Sequence, residues 1–283
     1  MKFVPMKELL RDAAARGYAV PGFCIWSAET VATVLGVATD LKAPVILMCG
    51  PLEFLHLTPA DMAGTARAVA ARFNLPAALH LDHGNSLEQV QACLAAGFTS
   101  VMLDFSAKPY AENAAALTRV VALARPLGVT VEGEIGHVGK VDPASVEGGT
   151  TSTLTEPAEA AAYAADTGVD ALAPSIGNAH GHYTRLPRFD FERLEKIHSM
   201  VPVPLVLHGG SGTPDEDLRR AIALGVAKVN VATDLVVAMR ESLTAQWGAK
   251  RNLWTPVALA EAAQACAPHI ERWLRRTGAA GRA

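Results

Sequence analysis

Short runs of valine, isoleucine and leucine alternate with longer alanine-rich stretches from one end of the chain to the other. The runs at Tyr18–Trp26, Pro44–Cys49, Ala77–Leu81, Ser100–Asp104, Val129–Glu134, Ala171–Ile176, Pro204–Leu207 and Lys228–Val231 predict eight strands. They are apolar at successive positions rather than every second one, as in a parallel sheet covered on both faces by helices. Between them, stretches such as Thr58–Phe73, Ser86–Ala96, Pro157–Thr167 and Pro214–Leu224 carry helical spacing. Thr58-Pro59 and Thr213-Pro214 each place a cap residue before a proline at the first helical position. Gly97, Gly128, Gly168 and Gly225 each stand where a helix should end.

Strand–helix units repeated eight times predict one α/β domain over residues 1–283: a closed (β/α)8, or TIM, barrel with a C-terminal helical extension. An open doubly wound sheet is the alternative, but no GxGxxG follows the first strand. The segment after Leu253 reads as a helix packed on the barrel or on a neighbouring subunit. The glycine- and threonine-rich stretch 136–155 reads as one long loop after the fifth strand, a candidate lid.

Composition narrows the partners. The net charge is −3 and no lysine or arginine block stands out, so the basic footprint of a nucleic-acid binder is missing. The first twenty residues alternate charged and apolar positions as an amphipathic helix rather than forming the apolar core of a signal peptide. No stretch reaches the roughly 18 uninterrupted apolar residues of a membrane span. Cys24, Cys49, Cys93 and Cys266 are scattered and include no CxxC pair, as expected of reduced thiols in a cytoplasmic protein.

Placing polar residues on the strand register gathers the chemistry at one end. The third strand runs into Asp82-His83-Gly84, the fourth into Asp104, the fifth carries Glu132 and Glu134, the sixth leads to His180, and the seventh to His208. In a closed barrel these C-terminal strand ends converge on the mouth where such folds hold their sites. Three histidines beside glycines, each from a different strand, suit a divalent metal with an open position, zinc first among the candidates. Asp82 leaves the strand in another direction from His83 and can serve as a general acid or base, or simply cap the Gly84–Ser86 turn. Glu134 reads as a ligand or as the orienter of one, and Glu132 and Asp104 read equally well as a buried ion-pair network. His80 is a candidate to stand behind the ligands. The turn His208-Gly209-Gly210-Ser211-Gly212 enters a helix, and with Asn230, Val231, Ala232 and Thr233 it forms an anion site where barrels commonly hold phosphate.

At these residues the sequence resembles the class II, metal-dependent ketose-bisphosphate aldolases, especially their tagatose- and fructose-bisphosphate branch. The carriers are LHLDHG at 79–84, VMLD at 101–104, VEGEIG at 131–136, IGNAHGHY at 176–183, LHGGSG at 207–212 and KVNVATD at 228–234. The resemblance implies Zn2+ held by His83, His180 and His208, with Glu134 as a further ligand when the metal shifts. It implies Asp82 as the proton carrier at the substrate C4 hydroxyl. Phosphate and dihydroxyacetone contacts then fall on Gly181, Gly209, Ser211, Asn230 and Thr233, with a monovalent cation (Na+ or K+) near the phosphate. A homodimer or homotetramer is expected by the same analogy.

The chain also departs from the family pattern. Phe23-Cys24-Ile25-Trp26-Ser27 stands where relatives carry asparagine, and Phe105-Ser106 where they carry Gly-Ser. Asp142 takes the place of a lid glutamate that serves as a second proton carrier, and Thr184-Arg185 the place of a lysine. The expected reaction is retro-aldol cleavage of a ketose 1-phosphate or 1,6-bisphosphate to dihydroxyacetone phosphate and an aldehyde other than the usual glyceraldehyde 3-phosphate. A metal hydrolase and a non-catalytic subunit supporting a related aldolase are the competing readings.

Overall fold

In the computed structural model, which describes residues 2–139, 152–181, 188–249 and 254–283, eight parallel strands close into a barrel in chain order. They are β1 (Val20–Cys24), β2 (Val45–Cys49), β3 (Ala77–Gly84), β4 (Ser100–Leu103), β5 (Thr130–Ile135), β6 (Ala171–Pro174), β7 (Leu205–Leu207) and β8 (Val226–Val231). β1 pairs with β8, which leaves no open edge and sets aside the doubly wound alternative. The helices are α1 (Met6–Arg16), α2 (Ala28–Asp40), α3 (Pro59–Ala70), α4 (Leu87–Ala95), α5 (Tyr110–Ala124), α6 (Pro157–Thr167), α7 (Phe191–Met200), α8 (Asp215–Ala223), α9 (Thr233–Gly248), α10 (Thr255–Gln264) and α11 (Ala267–Arg276).

The local signals act through identifiable bonds. Thr58 closes a capping box with Asp61 ahead of α3, the kind of cap worth about 0.5–2 kcal/mol. Gly168 ends α6 at φ 69°, a left-handed conformation that glycine adopts without a Cβ clash. Thr213 does not act as the cap expected of it. Pro214 itself occupies the N-cap position of α8 and the Thr213 side chain takes no capping bond, because the helix starts one residue later than the proline rule implies.

The amphipathic start folds as α1, which buries Met6, Leu9, Leu10 and Ala13. It lies across the N-terminal strand ends: Val4 N–H donates to the Ala77 carbonyl at the start of β3, and Lys7 N–H to the Thr130 hydroxyl at the start of β5. The end opposite the candidate site is thus closed. The C-terminal segment forms two helices rather than one. In α11, Ile270, Trp273 and Leu274 are buried, and the helix packs on α2 and β1 of its own barrel. Trp273 is fully buried and its indole N–H donates to the Asp234 carboxylate at 2.7 Å. Among the described residues no helix is long and apolar enough to cross a membrane.

The barrel interior departs from the usual filling of branched apolar side chains. His80, Ser100, Glu132 and Lys228 are all fully buried, and they bond to one another across the barrel from β3, β4, β5 and β8. This polar layer lies between the α1 plug and the strand ends that carry the candidate site.

Candidate metal and phosphate site

β3 delivers Asp82 and His83 by means of an irregularity. Its pairing with β4 shifts register between Leu81 and Gly84, and His83 sits at φ 46°. A bulge of this kind re-aims one side chain, and a non-glycine residue held at positive φ costs roughly 1–3 kcal/mol, typically retained where function needs it. Gly84 is required here, because a Cβ on it would stand 2.6 Å from the Met102 carbonyl oxygen.

His83, His180 and His208 are brought together. Each offers a donor atom within 4.8 Å of the others. Their ring centroids are 4.9 Å apart for His83–His180, 4.6 Å for His83–His208 and 5.9 Å for His180–His208. Glu134 and Asp104 join His83 in a second, overlapping donor group. Nδ1 of His83 is 2.7 Å from Oδ2 of Asp104, while its buried Nε2 has no hydrogen-bond partner among the described residues. Nδ1 of His208 lies 2.7 Å from Glu134 and its Nε2 lies 2.8 Å from Glu132. Asn178 donates to the His208 carbonyl at 3.0 Å and so ties the β6 loop to the β7 loop.

The electrostatics favour a cation. Asp82, Asp104, Glu132 and Glu134 converge here against, among the described residues, the ammonium of Lys228. Burial works against charge on His208, but hydrogen bonds to Glu132 and then Glu134 carry its pKa up to about 9. Burial likewise opposes charge on His83, yet Asp82 and Asp104 hold its pKa well above the usual imidazole range. Burial should raise Glu132, and Lys228 and His208 overcome it, lowering it to about 2. Without metal, protons held on His83 and His208 offset part of this excess of carboxylate. A divalent cation does so with stronger bonds, displacing those protons. The partnerless Nε2 of His83 and the three imidazole donors fit such a metal; nitrogen donors of this kind suit zinc.

Asp82 is 5% exposed, and its Oδ1 accepts from Asn230 Nδ2 at 2.9 Å. Asn230 Oδ1 is buried without a hydrogen-bond partner among the described residues, an acceptor facing a small cavity. That cavity is lined by Met48, Asp82, His180, Gly181, Gly209, Ser211, Asn230, Ala232 and Thr233. Gly210 and Val231 stand behind it: Gly210 N–H donates to the Asn230 carbonyl, and Val231 is fully buried in β8. Gly209 has φ 64° and sits against the Ala179 carbonyl, so no side chain fits there. Ser211 Oγ accepts from the Asp234 N–H at 3.3 Å, joining the β7 turn to the start of α9.

Comparison with known proteins decides between the readings. The class II fructose-bisphosphate aldolase family profile matches residues 4–282. The chain belongs to that family. It is therefore a lyase of the aldolase type rather than a metal hydrolase. It is similar to the YdjI aldolase of Escherichia coli K12, with 30% identity over 100% of both chains and a TM-score of 0.88. A putative fructose-1,6-bisphosphate aldolase of Coccidioides immitis is 28% identical, with 97% of this chain and 96% of that one covered and a TM-score of 0.85. The fructose-bisphosphate aldolase of Campylobacter jejuni, 21% identical over 98% and 95% of the chains with a TM-score of 0.83, shares the fold.

Two sequence expectations fall outside the described residues: Asp142 in the loop after β5, and Thr184-Arg185 after His180. The described ends of the loop are anchored by paired bonds between His137 and Thr153. Sequence reasoning left two residues unassigned that the geometry brings in. Ser106 donates to Asp104 at 2.7 Å behind His83. Lys228, read only as the first residue of a strand, sits at the centre of the buried network. A lysine inside a central barrel strand was the available signal, because such a charge must meet a partner.

Proposed function

We propose that this aldolase is zinc-dependent and cleaves a ketose 1-phosphate or ketose 1,6-bisphosphate to dihydroxyacetone phosphate and an aldehyde. The observation that carries the reading is the convergence of His83, His180 and His208 beside Asp82 and a glycine-rich turn in one mouth. His83, His180 and His208 hold the metal, with Glu134 as a further ligand. A bound divalent cation supplies Lewis-acid stabilisation of the negative charge that carbon–carbon cleavage leaves on the dihydroxyacetone half.

The remaining work falls to side chains and backbone. Asp82, held as a carboxylate by the cations around it and oriented by Asn230, removes the proton from the C4 hydroxyl as the C3–C4 bond breaks. Asn230 Oδ1 accepts from a substrate hydroxyl. Gly181, Gly209, Gly210, Ser211, Ala232 and Thr233, with Val231 behind them, fix the phosphate and so hold the reacting carbons in register with Asp82. A monovalent cation, Na+ or K+, shares that phosphate. Asp142 returns a proton to C3 from the loop after β5. The altered β1 end, with Cys24 where relatives carry asparagine, favours an aldehyde product other than glyceraldehyde 3-phosphate. A homodimer or homotetramer in the cytoplasm is the expected setting.

The test is dihydroxyacetone phosphate release by purified, zinc-loaded protein from a panel of ketose mono- and bisphosphates, each paired with a chelated control. Release that the chelator abolishes supports the reading. Release indifferent to chelation removes the metal from it. No release from any member supports the non-catalytic alternative. A clear preference for fructose or tagatose bisphosphate contradicts the altered aldehyde partner.

A further inference from the structure

Beneath the candidate metal site lies a buried cation whose contacts reach both halves of the proposed chemistry. Lys228 Nζ donates to Glu132 Oε2 at 2.8 Å and to His80 Nε2 at 3.4 Å, and stands 3.9 Å from Asp82 Oδ1. All of Lys228, Glu132 and His80 are fully buried. The other oxygen of Glu132 faces Nε2 of His208 at 2.8 Å. The other nitrogen, Nδ1, faces Glu134, which belongs with His83 to a donor group of its own. A carboxylate can only accept, so both ring nitrogens carry protons here; the Nε2 proton stays with Glu132, and the Nδ1 proton is the one a metal would displace. Nδ1 of His80 lies 2.8 Å from the Ser100 hydroxyl. Ser100 in turn donates to the Met6 sulfur at 3.5 Å, which ends the chain of bonds on the α1 plug.

We infer that Lys228 is a positioning residue: it holds Glu132 against Nε2–H of His208, which commits Nδ1 of that ring to the metal, while its charge also supports the Asp82 carboxylate. The inference rests on the proposed metal role of His208. A partner carboxylate behind a ligating imidazole fixes its tautomer and ring orientation, and loss of such a partner typically weakens metal binding by about 10–100-fold. What is particular here is that one ammonium, on β8, serves the ligand on β7 through β5 and the proton carrier on β3 directly. A swing of Lys228 would therefore disturb metal affinity and proton transfer together, although it touches neither metal nor substrate.

The first arm uses wild-type protein labelled with 15N-histidine and loaded with 113Cd2+. The expected result is cadmium coupling to Nδ1 of His208 with Nε2 protonated; coupling to Nε2 overturns the inference. The second arm uses Co2+ binding by Lys228→Met and by the pair Lys228→Met/Glu132→Gln. The single variant leaves a buried carboxylate without its cation and can fail to fold. The paired variant removes both charges, keeps an acceptor for Nε2–H, and leaves no uncompensated buried charge. Its expected Co2+ affinity is at least about 10-fold below wild type, with an altered visible spectrum and a lowered kcat on the best panel substrate. Wild-type affinity, spectrum and kcat in a folded paired variant would reduce Lys228 to charge balance and overturn the inference. If the wild type binds neither cadmium nor cobalt, the metal reading itself falls and takes this inference with it. If the paired variant does not fold, the coupling of the wild-type His208 ring decides alone.

Discussion

Oδ2 of Asp104 lies 2.7 Å from Nδ1 of His83, and Ser106 donates to the other oxygen of the same carboxylate. Asp104 therefore holds a proton of His83 on Nδ1 and turns Nε2 towards the proposed metal site, the arrangement that would make a strand-end histidine a directed ligand. Burial favours a neutral Asp104, but the imidazole and the Ser106 hydroxyl and N–H hold its carboxyl far below the usual range. Asp104→Asn keeps the shape and removes the charge; its expected effect is a roughly 10–100-fold loss of Co2+ or Zn2+ affinity measured by competition with a chelating dye. Unchanged affinity would remove Asp104 from the site.

Asp82 makes the complementary prediction. Its carboxylate is bound by Asn230 and does not belong to the three-histidine donor group. Asp82→Asn should lower kcat by about 10²–10⁴-fold while leaving metal affinity and the thermal midpoint of the loaded protein close to wild type. A variant that loses metal instead would show Asp82 to be a ligand or its support.

Much of this was legible in the chain. Strand–helix alternation gave all eight strands, though most of their ends lie a residue or more from the predicted ones, as at β1, which spans Val20–Cys24 rather than Tyr18–Trp26. Glycines beside histidines marked the strand ends that meet at the mouth. The rest depends on long-range partners that local pattern does not contain. Simple alternation along β3 does not explain how Asp82 and His83 both serve one mouth; a bulge and a positive φ at His83 do. Lys228 gained meaning only when the closed barrel set β8 across from both β3 and β5. Thr213 carried a sound capping signal, yet α8 starts on the far side of Pro214.

The turn after β7 offers a backbone test. Gly209 has a left-handed φ and its Cβ position is filled by the Ala179 carbonyl. Gly209→Ala combines about 1–3 kcal/mol of backbone strain with a displacement of the β6 loop that carries His180. The expected result is a lowered thermal midpoint and loss of the stabilisation that inorganic phosphate gives the wild type. A variant stabilised by phosphate as strongly as wild type would place the anion elsewhere.

Thiols set the alkaline behaviour. Burial pushes Cys93 up to about 12 and Cys266 up to about 11, from an ordinary value of 9.0. Both thiols ionise more readily in the unfolded chain than in the folded one. Their contribution to stability is therefore complete below pH 9 and is lost as the pH rises towards 11 and 12. Replacing both with alanine should flatten the fall of the thermal midpoint between pH 9 and 11, and neither should react with a thiol reagent at pH 8 before unfolding. Rapid reaction of Cys93 or Cys266 in the native protein would contradict their burial.

The central claim is that this mouth generates and holds the carbanion equivalent of dihydroxyacetone phosphate, whatever aldehyde it takes. Retro-aldol chemistry is reversible, so the same site must remove a C3 proton from dihydroxyacetone phosphate when no aldehyde is present. The direct measurement is proton NMR of dihydroxyacetone phosphate in D2O with the zinc-loaded protein. The account predicts protein-dependent exchange of one C3 hydrogen for deuterium, abolished by chelation and restored by added Zn2+. Dihydroxyacetone phosphate that binds to the metal-loaded protein and keeps both hydrogens would contradict it.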